Sequence, residues 1–434
     1  MEITPKKRTL VRGKISHFGK KALYVRRKNY YNVKRNKTKG GRGMERALVC
    51  DARYRMSLPV IRSLGRAGIA VDAADLDTTP EARSLGFYSR YTDRRLHLPD
   101  PASGAYLDAL RAACGTARPA ILPVGIHSLL ALAAQADAVR EFADVALPSP
   151  ESLSLANDKA ALTAHARALG VPTPDTTTLR EGEAIEALAA RIVYPVVIKY
   201  RAGELLALDP KDRYAIVRDR AQFCGTFRAM HARQPYPLVQ QYIEGPGWGV
   251  SAVFDRAHNP LSVFCHRRIR EYPVTGGPSS CCVSVWEKSL VEHAVTLLRS
   301  LSWTGVAMVE FKGTPETGFA LMEINPRFWG SLALAPISGC DIPLALYRAA
   351  RGELAKEPPE ARYRLGQKMH FILQDTLSIP GYLRQSEHKA ALLFGYMRDL
   401  LNPAVKDGVW SARDLKSSVQ YFKQALRKTD KIVR

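Results

Sequence analysis

The fold of this chain is decided by two short stretches, GVAMVEFK at residues 305–312 and FALMEINPR at residues 319–327. Apolar residues alternate with polar ones in each, and a turn containing Gly and Pro separates them, which predicts a β-hairpin. This alternation places Glu310, Glu323 and Asn325 on one face. Two carboxylates and an amide oxygen suit Mg²⁺, which completes its shell with phosphate oxygens and water. The simpler alternative is a solvent-facing row of side chains on an ordinary hairpin.

Other stretches carry groups that suit a nucleotide. Lys199 ends the apolar run YPVVIK, where a lysine on a buried strand needs an anionic partner such as a phosphate. The segment LVQQYIEG at residues 238–245 joins an apolar strand to a polar turn. Its main chain could bond an adenine edge, and Glu244 could accept from ribose hydroxyls. Arg327 follows Asn325 closely enough to neutralise a nearby phosphate or carboxylate.

These motifs resemble those of the ATP-grasp superfamily of ATP-dependent carboxylate–amine ligases, and in particular its carbamoyl-phosphate-synthase-like members. The resemblance runs over about residues 46–352, and its closing MEINPR is the specific part. It implies ATP and Mg²⁺ as cofactors, with Mn²⁺ as an alternative ion. The residues that it implies for ATP are Lys159, Lys199, Gln240, Gln241, Tyr242, Ile243 and Glu244, and those for the metal are Glu310, Glu323 and Asn325.

A basic segment with a glycine-rich turn lies between residues 238–245 and the predicted hairpin. It reads FCHRRIRE at residues 264–271 and TGGPSS at residues 275–280, so that Arg267, Arg268, Arg270, His266 and main-chain donors could bind a γ-phosphate and an acidic substrate. We expect Arg268 and Arg327 to be catalytic, because they would offset charge on the transferred phosphoryl group. After Lys199 many members carry a glycine-rich lid loop, whereas residues 201–211 contain one glycine.

The chain changes character along its length, which predicts α/β and α+β parts. We expect a basic disordered arm at 1–43, a Rossmann-like pre-ATP-grasp α/β domain at 44–147, an ATP-grasp domain at 148–352 with a lid at about 194–245, and a helical extension at 353–434. In the first domain, strands alternate with helices, and Asp51 and residues 125–127 follow strand ends, where open α/β sheets bind ligands. One helix is expected over 154–170, and proline breaks are expected at 358–359, 380 and 403. The apolar face of residues 391–401 must be covered by something.

The formal net charge of +23 is concentrated at the ends of the chain. Residues 1–43 carry 15 basic groups and one acidic group, and residues 405–434 carry eight and three, so the body is nearly balanced. The arm could bind RNA or lipid, be a solvated tail, or come from an upstream-extended reading frame.

The sequence lacks the motifs of several classes of enzyme and metal-binding protein. The sequence contains no G-x-G-x-x-G after its first strand, no G-x-S-x-G, no H-E-x-x-H and no C-x-x-C. No apolar run reaches the roughly 18 residues of a membrane span, and no secretory signal is present, so we expect a cytoplasmic protein. The seven scattered cysteines fit a reducing compartment, and Cys281, Cys282, Phe328 and Trp329 are expected to pack.

The expected function is a ligase that phosphorylates a small-molecule carboxylate with ATP and joins the acylphosphate to an amine. One alternative is a carboxylase or carbamoyl-phosphate-type enzyme that uses bicarbonate. Another is an ATP-binding or RNA-binding protein without catalysis, for which contact of nucleic acid with the arm is the weaker hypothesis. A homodimer is left open.

Overall fold

A computed structural model of the chain describes residues 45–201, 206, 208, 212–274, 276–356 and 360–426, and the backbone of residues 427–433. The predicted arm, residues 1–43, lies outside the described residues. Within the described part, the strands form two sheets of four strands and one of seven.

The N-terminal sheet is parallel and flanked by helices, as the alternating pattern predicts. Its order is β3-β2-β1-β4. The strands are β1 (Arg46–Val49), β2 (Ala70–Leu76), β3 (Thr92–Leu98) and β4 (Ala120–Leu122), and the helices are α1 (Ser57–Arg66), α2 (Tyr106–Cys114), α3 (Ile126–Ala134) and α4 (Ala136–Arg140). Two 3-10 helices, Glu81–Arg83 and Leu85–Tyr88, precede β3. The residue pattern does not predict β3, because this edge strand reads TDRRLHL and most of its side chains are exposed.

Two helices connect this sheet to the next one, α5 (Pro150–Asn157) and α6 (Lys159–Ala168). The single helix predicted over 154–170 is therefore wrong. The chain breaks at Asp158, whose carboxylate caps α6 by accepting hydrogen bonds from the N–H groups of Ala160 and Ala161 at 2.8 and 3.1 Å. The break places Lys159 in the first turn of α6.

The lid sheet is antiparallel, with the order β5-β8-β6-β7. It contains β5 (Thr176–Thr177), β6 (Val196–Lys199), β7 (Tyr214–Val217) and β8 (Leu238–Gln241), with helices α7 (Ile185–Arg191) and α8 (Arg220–Arg233). Phe223 and Phe227 of α8 are fully buried against this sheet. The lid sheet therefore has its own small core.

The central sheet has seven strands in the order β13-β12-β9-β10-β11-β14-β15. Its strands are β9 (Gly247–Phe254), β10 (Pro260–Glu271), β11 (Ser279–Val285), β12 (Gly305–Thr314), β13 (Gly318–Asn325), β14 (Lys368–His370) and β15 (Lys406–Asp407). The helices that accompany it are α9 (Lys288–Ser300), α10 (Leu334–Ser338) and α11 (Ile342–Ala350). Every residue of β9 is buried, because core clusters cover both faces of the sheet.

The C-terminal region is mostly helical, and it also supplies β14 and β15 to the central sheet. Its helices are α12 (Ile372–Gln385), α13 (Lys389–Leu401) and α14 (Leu415–Val433). The break predicted at Pro380 is wrong, because α12 continues through this proline. Arg62 of α1 forms a buried ion pair of 2.7 Å with Asp414, which ties α14 to the N-terminal sheet.

The apolar face expected on residues 391–401 is not covered by the described residues. Leu393, Phe394, Met397 and Leu401 of α13 are exposed. A search of the described helices for one long and apolar enough to cross a membrane finds none.

Candidate functional site

The predicted hairpin forms and brings its two carboxylates together. Glu310 of β12 lies directly opposite Glu323 of β13, and the pairing shifts register just after Glu310. Asn325 lies on the same face, with its amide nitrogen 3.4 Å from Glu310 Oε1 and 3.3 Å from Glu323 Oε1. The three predicted metal ligands therefore form one cluster.

Two cations from other elements contact this cluster. Lys159 Nζ lies 2.6 Å from Glu323 Oε2, and Arg268 Nη2 of β10 lies 2.5 Å from Glu310 Oε1. The charge of Lys159 lowers the pKa of Glu323 to about 2, while burial raises the pKa of Glu310. The pair consequently contains one firmly ionised carboxylate and one that is costly to ionise without a cation.

Lys199 ends β6, and its ammonium group has no hydrogen-bond or ion-pair partner among the described residues. Burial, and then the charge of Lys159, lowers the pKa of Lys199 to about 8. A lysine in this state gains much from an anionic ligand, because the ligand restores the charged form.

A cavity of about 390 Å³ lies between the lid sheet and the central sheet. Ten of the predicted site residues line it: Lys159, Lys199, Gln241, Tyr242, Ile243, Arg268, Glu310, Glu323, Asn325 and Arg327. Gln240 does not, because its buried side chain bonds Thr176 at 3.0 Å. Glu244 is exposed in the turn after Ile243 and does not line the cavity either.

The segment predicted to hold adenine crosses from the lid sheet to the central sheet. The N–H of Tyr242 donates to Pro195 at 3.2 Å, whereas no described residue accepts a hydrogen bond from the N–H of Ile243. Lys312 of β12 lies over the Tyr242 ring, 4.6 Å from its centroid. The main chain at Ile243 can therefore bond a ligand without breaking an existing contact.

Of the three predicted anion-binding arginines, Arg268 lines the cavity and the other two do not. Arg267 is exposed and lies over Trp248, and Arg270 is buried against Asp375 and Asp399. His266 is also buried, and burial lowers its pKa to about 3, so it is neutral. The expectation that these four side chains bind anions together is therefore wrong, and Arg268 is the one that lines the cavity.

The glycine-rich turn does reach the cavity, with Gly276, Gly277, Pro278 and Ser279. A Cβ atom on Gly277 would lie 2.2 Å from the carbonyl group of Tyr272, so the turn closes this tightly only with glycine there. Thr275, and most of the glycine-poor lid loop at 201–211, lie outside the described residues.

Several residues that line the cavity were not predicted, including Glu271, Lys312 and Ser331, and Trp329 also lines it, for which packing was expected and a substrate-lining role was the alternative. Lys312 carried a usable signal, because it lies two residues after Glu310 in the same alternating strand. Trp329 is buried, as expected for a packing residue, and its ring also forms part of the cavity wall.

Two other predictions concern residues outside this cavity. Asp51 and the turn at Gly125 do meet at the end of the N-terminal sheet, where Asp51 Oδ2 accepts from the Gly125 N–H at 2.8 Å and from the Ser128 hydroxyl. Cys281 and Cys282 are buried, and burial raises the pKa of Cys281 to about 12. These thiols are therefore packing groups rather than nucleophiles.

The architecture is that of the ATP-grasp fold, with the cavity between the lid sheet and the central sheet. More particularly, residues 233–369 match the family described as ATP-grasp in the biosynthetic pathway with Ter operon.

Solved structures share the fold at low identity. The chain is similar to the biotin carboxylase domain of the 2-oxoglutarate carboxylase of Hydrogenobacter thermophilus, solved with MgADP and bicarbonate, at a TM-score of 0.58 and 19% identity over 76% of this chain and 74% of that one. It is also similar to the L-amino acid ligase of Bacillus licheniformis, at a TM-score of 0.52 and 15% identity over 72% and 76%.

Among curated proteins, the chain is 26% identical over 197 residues to the uncharacterized protein y4rH of Sinorhizobium fredii. The matched part is 42% of this chain and 39% of that protein, so the chain spans about two fifths of this relative's length.

Proposed function

We propose that this protein is an ATP-dependent ligase that phosphorylates a substrate carboxylate and joins the acylphosphate to an amine, releasing ADP and phosphate. The observation that carries the proposal is the charge of the cavity. Seven basic and three acidic side chains line it, and one of the basic groups, Lys199, forms no ion pair with a described residue. Such a surplus suits a polyphosphate rather than a neutral ligand.

Residues of the cavity and of the turn beside it suit the base, the ribose and the phosphates of ATP. The main chain at Ile243 would bond the adenine edge, and Lys159 and Lys199 would hold the phosphates. Glu244, although outside the cavity wall, follows this segment closely enough to accept from ribose hydroxyls. The turn at Gly276–Gly277 shapes the neighbouring wall, and its own N–H groups donate to the Pro273 carbonyl at 3.4 and 2.8 Å.

The donor set also fits Mg²⁺, with Mn²⁺ as the alternative ion. Glu310, Glu323 and Asn325 supply hard oxygens within one cluster, and an amide flip turns the oxygen of Asn325 toward both carboxylates. No described group of three His, Cys, Asp or Glu residues could hold a metal by itself, so phosphate oxygens and water would complete the shell. The ion would supply charge neutralisation across the transferred phosphate.

The chain's own residues would position the reactants and offset charge. A carboxylate is a weak nucleophile whose oxygens are poor leaving groups, and phosphorylation converts one oxygen into a leaving group for the amine. Arg268 and Arg327 would stabilise charge on the phosphoryl group while it moves from ATP to the carboxylate and ADP leaves. No protein nucleophile is needed, which agrees with the raised pKa of the buried cysteines.

The test is an ADP-release screen over amino acids, small peptides and sugar acids, each with an amine or with hydroxylamine to trap the acylphosphate as a hydroxamate. We expect ADP release that requires the organic acid, and we expect Glu323→Gln to lower it about a hundredfold or more. The matched control is Glu292→Gln, since Glu292 is an exposed residue of α9.

Two outcomes would contradict the proposal. ADP release that depends on bicarbonate and needs no organic acid would assign the carboxylase reaction instead. Turnover of Glu323→Gln equal to that of the wild type would remove the hairpin carboxylates from the mechanism.

A further inference from the structure

The C-terminal helices form a layer beside the central sheet, and α12 lies in the middle of this layer. Asp375 of α12 is fully buried and forms an ion pair of 2.8 Å with Arg270 of β10. Thr376 forms a hydrogen bond of 2.8 Å with α13, and Gln374 forms one of 2.7 Å with α14. At about 100° per residue, Leu377 points between the directions of α13 and α14 and away from Asp375. Leu377 is 53% exposed, and it marks the outer side of the layer.

The outer side is apolar on the two flanking helices as well. The exposed apolar side chains of α13 are Leu393, Phe394, Met397 and Leu401. On α14, Leu415, Val419 and Leu426 are exposed, and their spacing of four and seven residues places them on one face. Nine of the fifteen large apolar side chains exposed in the described part of the chain lie within residues 377–426. Such a concentration differs from the scattered exposed leucines of an ordinary surface and indicates a binding surface.

The exposed charged side chains of α13 and of the described part of α14 are all basic. They are Lys389, Arg398, Lys416 and Lys423, and none of them forms an ion pair with a described residue. The acidic residue of these segments, Asp399, is buried and pairs with Lys368 at 2.6 Å. The sequence continues with RKTDKIVR at residues 427–434, which adds four basic residues and one acidic residue. The outer side therefore combines apolar side chains with positive charge.

This charge disfavours the two occupants that the chain itself could supply. A second copy would bring the same basic side chains against those of the first. The predicted arm at residues 1–43 carries 15 basic groups and one acidic group, so it would be repelled in the same way. The surface suits an occupant that offers an apolar interior and negative charge together, and a bilayer of anionic lipids offers both.

We propose that the outer side of α12, α13 and α14 binds the surface of an anionic lipid bilayer. Helices whose apolar residues occupy one face lie in the plane of the interface, with that face between the headgroups and the acyl chains. The leucine, phenylalanine and methionine side chains would enter this boundary, and the neighbouring lysines would contact lipid phosphates. Trp410, in the loop before α14, is 51% exposed, and its ring centroid lies 6.2 Å from that of Phe422. A tryptophan at the edge of such a face suits the headgroup region. The proposal is independent of the ligase function.

The experiment measures co-sedimentation of the full chain with vesicles of phosphatidylcholine alone and of phosphatidylcholine with about 30% phosphatidylglycerol. We expect the wild type to bind the anionic vesicles and to bind the neutral ones much less. Phe394→Ser/Leu401→Ser removes side chains that are 71% and 74% exposed, so it should lower the partition coefficient about tenfold or more and leave the melting temperature unchanged. The matched control is Val193→Ser/Leu365→Ser, at exposed apolar sites elsewhere, which should bind like the wild type.

Two further measurements separate this surface from the basic arm, which could attract anionic vesicles by charge alone. Lys416→Gln/Lys423→Gln should weaken binding about fivefold for each lysine removed. The fluorescence of Trp410 should shift to shorter wavelength when anionic vesicles are added, and Trp410→Phe should lose this shift. Binding through the arm would leave the emission unchanged and would not respond to Phe394→Ser/Leu401→Ser.

Leu426→Ser, on α14, keeps the test informative if the double variant of α13 does not fold, and it should weaken binding about threefold or more. Failure of the wild type to bind anionic vesicles would overturn the proposal. Wild-type binding by both Phe394→Ser/Leu401→Ser and Leu426→Ser would overturn it as well. Sedimentation equilibrium without lipid tests the rival occupant: a wild-type dimer that Phe394→Ser/Leu401→Ser converts to a monomer would assign the surface to contact between two copies.

Discussion

Arg268 and Arg270 lie two residues apart on β10, and they differ in how completely carboxylates pair with their guanidinium groups. Arg270 is buried with all its charge matched: Nε and Nη2 each lie 2.8 Å from Asp375, and Asp399 lies 3.3 Å away and pairs in turn with Lys368. Arg268 faces the cavity, where it pairs with Glu310 and Glu271, and its buried Nε has no described partner.

The difference teaches how to separate a structural charge from a functional one in this molecule. Residues two apart on a regular strand share a face, but the pairing of β10 with β11 shifts register between Arg268 and Arg270. The shift sends one guanidinium into a closed network with the C-terminal helices and the other into an open cavity. Complete pairing indicates a structural role, and incomplete pairing indicates a site for a ligand.

Replacing Arg270 should give the largest effect, on stability. Arg270→Gln leaves the carboxylates of Asp375 and Asp399 buried with less counter-charge, so the free energy of unfolding should fall by about 3–5 kcal/mol. Urea denaturation followed by circular dichroism measures it. A loss below about 1 kcal/mol would mean that the network is not structural.

The same substitution at Arg268 should affect catalysis instead. Arg268→Gln removes a cation from the position where charge develops, so we expect ADP release to fall about 10²–10³-fold. The melting temperature should fall less than in Arg270→Gln, because Arg268 Nε is unbonded and Glu310, whose pKa burial already raises, can become neutral when its cation is lost. A variant that melts early and keeps its turnover would reverse the assignments of the two arginines.

Lys199 extends the comparison, because its ammonium group lines the cavity and forms no ion pair or hydrogen bond with a described residue. Its pKa of about 8 means that the free protein loses this charge as the pH rises through 8, whereas bound phosphates would favour the charged form. The affinity for MgATP should therefore be constant below pH 8 and fall by up to about tenfold per pH unit above it, with proton uptake on binding.

Calorimetric titrations in buffers of different ionisation enthalpy measure that uptake. Lys199→Arg is the matched variant, because an arginine does not lose its proton in this range. An identical pH dependence in Lys199→Arg would assign the titration to another group.

The sequence predicted the hairpin cluster well, because strand alternation alone places Glu310 and Glu323 on one face and a short turn sets their register. Arg268 was expected to be catalytic, but the pattern could not show that Arg270 leaves the anion-binding set, since the partners of Arg270 lie 105 and 129 residues further along the chain. The register shift that separates the arginines leaves no mark in the residue pattern.

Two helix boundaries were also predicted wrongly from local sequence, at Asp158 and at Pro380. The apolar spacing of 154–170 continues across Asp158, so the capping role of that residue was missed and Lys159 was placed inside a helix rather than at its start. At Pro380 the helical packing of α12 against its neighbours outweighs the proline's unfavourable local effect.

Arg267, the third arginine of the stretch, should give the smallest effect. Its side chain is exposed, and its contact is with the Trp248 ring, 5.7 Å from the centroid. Exposed cation–π contacts contribute about 0.5–1 kcal/mol, so Arg267→Gln should cost no more than that and leave ADP release unchanged. Arg267→Lys keeps the cation and should cost less still. All three arginines are changed to glutamine, so differences among the variants report the surroundings of each arginine. A loss of activity in Arg267→Gln would show that exposure and pairing do not separate functional from structural charges on β10.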